Sequence, residues 1–191
     1  MVKAFGLIIG LLLVLGFSAC PPLGNSTGTP TASPSPDEEE LPGKYGWAPN
    51  VACAFLSDKL KPGVYRNEGN NIYGCLSEAK FFGPGKPQNN IVFYARGESD
   101  WVRQIGVAVN VNQKSAQGEA VDLLFEYATD MSMKAIGVPL SKHTGNTLLA
   151  GQPGRGFVDT TKVEILRHDF SNGQGYELHF VITPTVNRPQ K

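Results

Sequence analysis

Four residues near the C-terminus have the types that move protons or hold a ligand: Arg167, Asp169, Glu177 and His179. They fall in two stretches, Thr161 to Phe170 and Tyr176 to Thr183, that read as a β-hairpin around Ser171-Asn172-Gly173-Gln174-Gly175. If Phe170 faces Tyr176, Arg167 lies opposite His179 and Asp169 opposite Glu177, all on the face away from the core. Such a polar sheet face can bind a ligand or perform general acid/base work. The same pattern also describes a solvated face with cross-strand ion pairing. On this register Leu166, Phe170, Tyr176, Leu178, Phe180 and Ile182 line the buried face. His168 goes with them as a hydrogen-bonded core or edge histidine.

A second candidate lies between residues 139 and 160, a connection of some 20 residues rich in glycine. Long ordered loops within a compact domain are often functional. Lys142, His143, Asn146, Leu148, Leu149 and Arg155 offer a recognition surface there. The alternatives are a mobile loop, or a short helix at Thr147 to Ala150 that packs its leucines. Gly151-Gln152-Pro153-Gly154-Arg155-Gly156 resembles a phosphate-cradling loop only superficially. It lacks the Gly-Lys-Ser/Thr ending and the strand-before, helix-after setting such a loop uses.

Motifs of covalent and metal catalysis are missing. Gly-x-Ser-x-Gly does not occur, so there is no nucleophile elbow. Ser-x-x-Lys lacks its usual companions. His143, His168 and His179 are the only imidazoles, and no His-Glu-x-x-His or similar spacing joins them. Neither a metal site nor a cofactor is expected. Tyr45 and Trp47 are either an exposed aromatic contact or the point where the domain's N-terminus docks on its own core.

The N-terminus speaks to location. Lys3 supplies a positive start, and residues 4 to 17 are uncharged and mostly Leu, Ile, Val, Gly and Phe. That run is shorter than the roughly 20 residues that span a bilayer as a helix, and suits a signal-peptide core. Gly16-Phe17-Ser18-Ala19-Cys20 resembles the lipobox of bacterial lipoproteins, with Phe17 where Leu is commonest. The resemblance covers the first 20 residues. It implies that residues 1–19 are removed and that Cys20 is lipidated, leaving the protein membrane-tethered in the cell envelope. Pro21 follows Cys20 where inner-membrane retention usually reads Asp, so the outer membrane is expected if the cell has one. The alternative is an ordinary signal peptide cut after Ala19.

With Cys20 assigned to lipid, Cys53 and Cys75 remain, and an even remainder in an oxidising compartment reads as one disulfide. A zinc or catalytic thiol is the alternative, with no His nearer than His143. Residues 20–42 are rich in Pro, Ser and Thr and carry Asp37 to Glu40; they cannot bury enough apolar area to order themselves. Such a spacer reaches roughly 25 Å as a coil and roughly 70 Å extended. Setting Lys3 and those four acids aside leaves 16 basic and 13 acidic side chains. That balance gives no basic stripe, and nucleic acid is not an expected partner.

Residues 43–191 suffice for one domain. A short helix is expected from Asn50 to Leu60, stopped by Pro62-Gly63. Extended pieces follow near Val64–Arg66 and Ile72–Leu76, around an Asn-rich turn. Ile91–Arg96 and Trp101–Val111 read as two strands of a hairpin. Ser115–Ile136 carries an apolar helical stripe (Val121, Leu124, Phe125, Ala128, Ala135, Ile136) and stops at Gly137 and Pro139. Strands joined by short turns, with helices flanking them, predict an α+β fold. Its antiparallel sheet has about four to six strands, with helices on one face and one disulfide. The expected function is a non-catalytic module that binds an envelope protein or aids assembly. A hydrolase of cell-wall or polysaccharide substrates is the alternative.

Overall fold

The computed structural model describes residues 43–186. The expected signal segment 1–19, Cys20, the tether to residue 42 and the tail beyond Val186 lie outside the described residues. Among the described residues no helix is long and apolar enough to cross a membrane.

The fold is α+β. Helix α1 (Pro49–Ala52) comes first, then strands β1 (Arg66–Gly69), β2 (Ile72–Leu76), β3 (Lys80–Phe82), β4 (Asn89–Gly97) and β5 (Val102–Val111). A short 3₁₀ turn (Lys114–Ala116) leads into α2 (Gln117–Ile136), followed by α3 (Lys142–Leu149). Strands β6 (Gly154–Val158), β7 (Thr161–Asp169) and β8 (Tyr176–Pro184) complete the chain. All pairings are antiparallel, in the order β1-β2-β4-β5-β8-β7-β6, with β3 beside β4. The sheet has eight strands, more than the four to six expected. The two extra ones, β3 and β6, are short and lie in segments that read as connections, where neither carries a clear apolar alternation.

Period-2 burial decides which face is the core. Ile91, Phe93 and Ala95 of β4 alternate with half-exposed residues, and Ile105, Val107, Val109 and Val111 lie on the same side of β5. Leu178, Phe180 and Ile182 of β8 continue that layer. Helix α2 covers it with Val121, Leu124, Tyr127, Ala128, Met131 and Ala135, spaced by three and four. Gly137, at φ 74°, closes the helix, its N–H donating to Met133 O. Ser132 Oγ donates to Val138 O at 2.7 Å and steadies the exit.

Asn89 ties the strands to α2. Its fully buried side-chain oxygen accepts from the backbone N–H of both Asn112 and Gln113 at 2.8 Å. Trp47 is buried, pairs its backbone with Val102 and donates Nε1–H to Ala135 O at 2.9 Å. It therefore docks the N-terminus on the core.

The first helix is shorter than predicted. Pro49 occupies its first turn, where a missing N–H costs nothing. From Ala54 to Ser57 the backbone bonds run from i to i−3, a tighter winding that brings Ala52, Cys53, Phe55, Leu56 and Leu60 into the core. Cys53 and Cys75 form the disulfide, with Cα atoms 6.2 Å apart, and join this segment to β2. At the β1–β2 turn, Asn70 and Asn71 both have positive φ, the conformation a two-residue hairpin turn demands and Asn tolerates.

Candidate functional site

The segment expected as a loop between residues 139 and 160 is instead α3 and β6. Ser141 starts α3, its Oγ accepting from Thr144 N at 3.1 Å. Gly145 is what lets α3 lie close to α2: a Cβ there would sit 3.0 Å from the Phe125 ring. Beyond the helix, Gly151 adopts φ 63° and Gln152 N donates to Thr147 O at 3.1 Å. The chain then runs straight into β6, which pairs with β7 along its whole length without a bulge.

The proposed recognition residues separate accordingly. Leu148 is fully buried in the core, while Leu149 is 44% exposed. Lys142, His143 and Asn146 are exposed on α3. Arg155 is exposed on β6, opposite Glu164. Glu164 is already engaged by Lys162 at 2.8 Å.

Between α3 and β6 the structure leaves a shallow cleft, lined by His143, Thr144 and Thr147 on one side and Gly154, Arg155, Gly156, Val163 and Ile165 on the other. Two glycines create it. Gly154 and Gly156 pair with Ile165 and Val163 and so belong to the helix-side face. Thr147 lies over Gly154, where a Cβ would come within 2.9 Å of it; over Gly156 there is nothing within 4 Å. The sequence does not mark Thr144 or Thr147 as site residues, and it shows Gly154 and Gly156 only as part of a glycine-rich connection. The signal for the pair was their period-2 spacing, which puts both on one face of a strand.

The polar cluster at the last hairpin is not assembled as expected. Asp169 pairs with Tyr176, Arg167 with Leu178 and Leu166 with His179, one residue off the predicted register. A one-residue slip sends every side chain of a strand to the other face. Arg167 and Asp169 therefore lie on the helix side and Glu177 and His179 on the open side. The cause is visible at the turn: Phe170 N donates to Gly175 O at 2.9 Å, so the loop closes one residue before Tyr176. Val163 and Ile165, rather than Leu166 and Phe170, provide the buried apolar residues of this hairpin arm.

Arg167 clamps the structure. Its guanidinium lies 3.8 Å from the Tyr176 ring centroid, donates to Gly151 O at 2.9 Å and pairs with Asp169 at 2.8 Å. Asp169 is held below the usual carboxylate range by that guanidinium.

On the open face a different row has formed. His179 Nε2 lies 3.3 Å from Glu177 Oε2, and His179 Nδ1 lies 3.5 Å from the Tyr94 hydroxyl. His168 shares this face rather than the core, its ring 5.8 Å from that of His179. Tyr94 lies flat across Gly106, where a Cβ would be 2.4 Å from its ring. Burial pushes the Tyr94 phenol above its ordinary range.

Among the described residues, no group of three His, Cys, Asp or Glu side chains is placed to hold a metal ion. The cleft and the open face are thus a recess beside a strand edge and a row of three weakly spaced polar groups. No protein-family model matches the chain, and no curated protein or solved structure matches it either.

Proposed function

We propose that this protein is a membrane-anchored envelope lipoprotein whose folded domain binds an envelope protein without catalysing a reaction. The observation that carries this reading is the cleft between α3 and β6, which opens beside the last strand of the sheet path. A recess next to an unpaired strand edge offers both shape and backbone hydrogen-bonding groups to a partner. Anchoring through Cys20 and the Pro-rich spacer, read from the sequence, would let the domain search for that partner near the membrane.

The test is crosslinked affinity capture from native envelopes. Wild type, the His143→Glu/Arg155→Glu variant and a mislocalised Cys20→Ala variant serve as baits. One stoichiometric protein recovered with wild type and lost with both variants is the expected result. Equal recovery with the double variant would remove the cleft from the reading. Labelled palmitate incorporated by wild type and not by Cys20→Ala checks the anchor.

A second reading, an envelope hydrolase, draws on the row Glu177–His179–Tyr94, a carboxylate, imidazole and phenol in sequence. Turnover of wall fragments or polysaccharide by the purified chain, abolished in His179→Ala, would favour it over the binding module.

A further inference from the structure

We propose that β6 is a strand-addition site. An extended, acidic peptide segment of a partner pairs with its free edge, placing one small apolar side chain in the recess over Gly156. This inference rests on the binding-module reading and specifies how that module binds.

The two ends of the sheet differ in a way that singles out β6. At one end, β1 is four residues long, fully exposed and bulged at Asn67/Gly69, and it carries Arg66 and Glu68. Shortness, a bulge and charge are the devices that blunt an edge against pairing. At the other end, β6 is in regular register from Gly154 to Val158. Its only charge is Arg155, and Phe157 is 66% exposed. Among the described residues nothing pairs with its outer side.

An added strand would send alternate side chains to the two faces of the sheet. Those on the helix side enter the cleft walled by His143, Thr144 and Thr147. The floor there is Gly156, with no atom within 4 Å of where a Cβ would stand. Val163 and Ile165 line the far wall, so a small apolar group is the fitting occupant. On the open side, the added residues lie beside Arg155 and Phe157, cross-strand neighbours that favour an acid and an apolar group. Exposed Lys142 on α3 and Arg155 on β6 place basic groups at this end of the sheet. Glu164, the acid opposite Arg155, is engaged by Lys162. The complementary segment is therefore acidic, β-branched and extended.

The probe is a fluorescein-labelled synthetic peptide of alternating glutamate and threonine around a central valine, titrated against the full chain in detergent micelles. Saturable binding, seen by fluorescence polarisation, should bring slowed amide exchange to residues 154–158. Gly156→Leu, whose Cβ has no neighbour within 4 Å, puts a side chain into the recess and should weaken binding about tenfold through loss of one buried apolar side chain. Arg155→Glu, on the other face and remote from the core, should weaken it independently. The same peptide with alternate backbone nitrogens methylated should not bind, because strand pairing needs those N–H groups.

Absence of binding to the wild type would overturn the proposal. So would equal binding of the methylated peptide, which would leave the cleft as a binding site of another kind. Slow exchange of those N–H groups in residues 154–158 that point away from β7, before any peptide is added, would mean that a second copy or another segment of the chain already holds the edge. That outcome also overturns it.

Discussion

Replacing both bridge cysteines by alanine isolates the disulfide's contribution. Serine would be the wrong choice, because Cys53 and Cys75 are 8% and 3% exposed and a hydroxyl there would be buried. The bridge closes a loop of 22 residues. On the chain-entropy relation, removing it frees the unfolded state by about 3 kcal/mol. For a domain of this size that lowers Tm by about 10 °C. The loss should be uneven across the fold. β2 pairs with β4 over four residues, Tyr73–Leu76, and β1 pairs with β2, reaching β4 through the Glu68–Arg96 contact at 3.6 Å. Amide exchange in Arg66–Leu76 should therefore accelerate more than in β5 or β8. Calorimetry of the oxidised chain, the reduced chain and Cys53→Ala/Cys75→Ala separates loop closure from lost sulfur packing. The two bridge-free forms should melt close together and well below the oxidised form. A drop of less than about 3 °C would refute the reasoning, since the unfolded chain would then gain little freedom from opening the loop.

Asn89→Leu leaves the backbone N–H groups of Asn112 and Gln113 without their acceptor, and should cost about 2 kcal/mol by urea denaturation. Gly106→Ala places a methyl group 2.4 Å from the Tyr94 ring. It should expel the ring and bring the phenol's titration back toward its ordinary value, read from absorbance against pH. Burial raises the phenols of Tyr94, Tyr65 and Tyr176 above their unfolded values. A raised folded-state pKa contributes stability that is whole below the unfolded value, near 10, and is lost as pH climbs through the folded one. Unfolding midpoints should accordingly fall above about pH 10, and less steeply in Tyr94→Phe. Asp58 and Asp169 are held low by Lys134 and Arg167. Their stabilisation is lost as pH drops through their folded values, but both are exposed, so the acid limb should be shallow.

Where a single element's pattern carries the information, sequence and structure agree closely. The alternation in β4 and β5, the stripe of α2 and its glycine stop are local signals, each legible without knowledge of a partner strand. The cysteine pair is legible by parity. The expected helix from Asn50 to Leu60 is longer than the observed one because tighter i to i−3 turns reach the burial that a regular helix would give Phe55 and Leu60. The last hairpin went wrong for a different reason. Register is a relation between two strands, and a six-residue connection allows more than one closure. Thr161-Lys162-Val163-Glu164-Ile165 in fact alternates clearly, with odd positions apolar or small. Leu166 and Phe170 at the far end outweighed it, and the predicted proton-transfer cluster depended on that choice. Arg167 shows how much turned on one residue. It stacks on Tyr176 and braces the exit of α3, instead of facing His179.

The same logic explains why the α3–β6 recess left almost no mark in the sequence. Catalytic and metal sites are built from side chains, and their spacing can be searched for. This recess is built from side chains that are missing, at Gly154 and Gly156, and from backbone groups that every residue carries. Read alone, the glycines suggest a long connection with only a superficial likeness to a phosphate-cradling loop. Placed in a regular edge strand, they instead clear one face of it beneath a helix. Gly145 does the complementary work at α3, since a Cβ there would press on Phe125 and hold the helix away from α2. Substituting Gly145 and Gly156 should therefore have unlike consequences. Gly145→Ala sets a methyl group 3.0 Å from the half-buried Phe125 ring, which must shift by a few tenths of an ångström, and stability should fall as far as the ring resists. At Gly156 a Cβ has no neighbour within 4 Å, so Gly156→Leu should cost little stability while putting a side chain into the space. Equal destabilisation by both would mean that the recess closes in solution, and the strand edge would then lose the feature that distinguishes it.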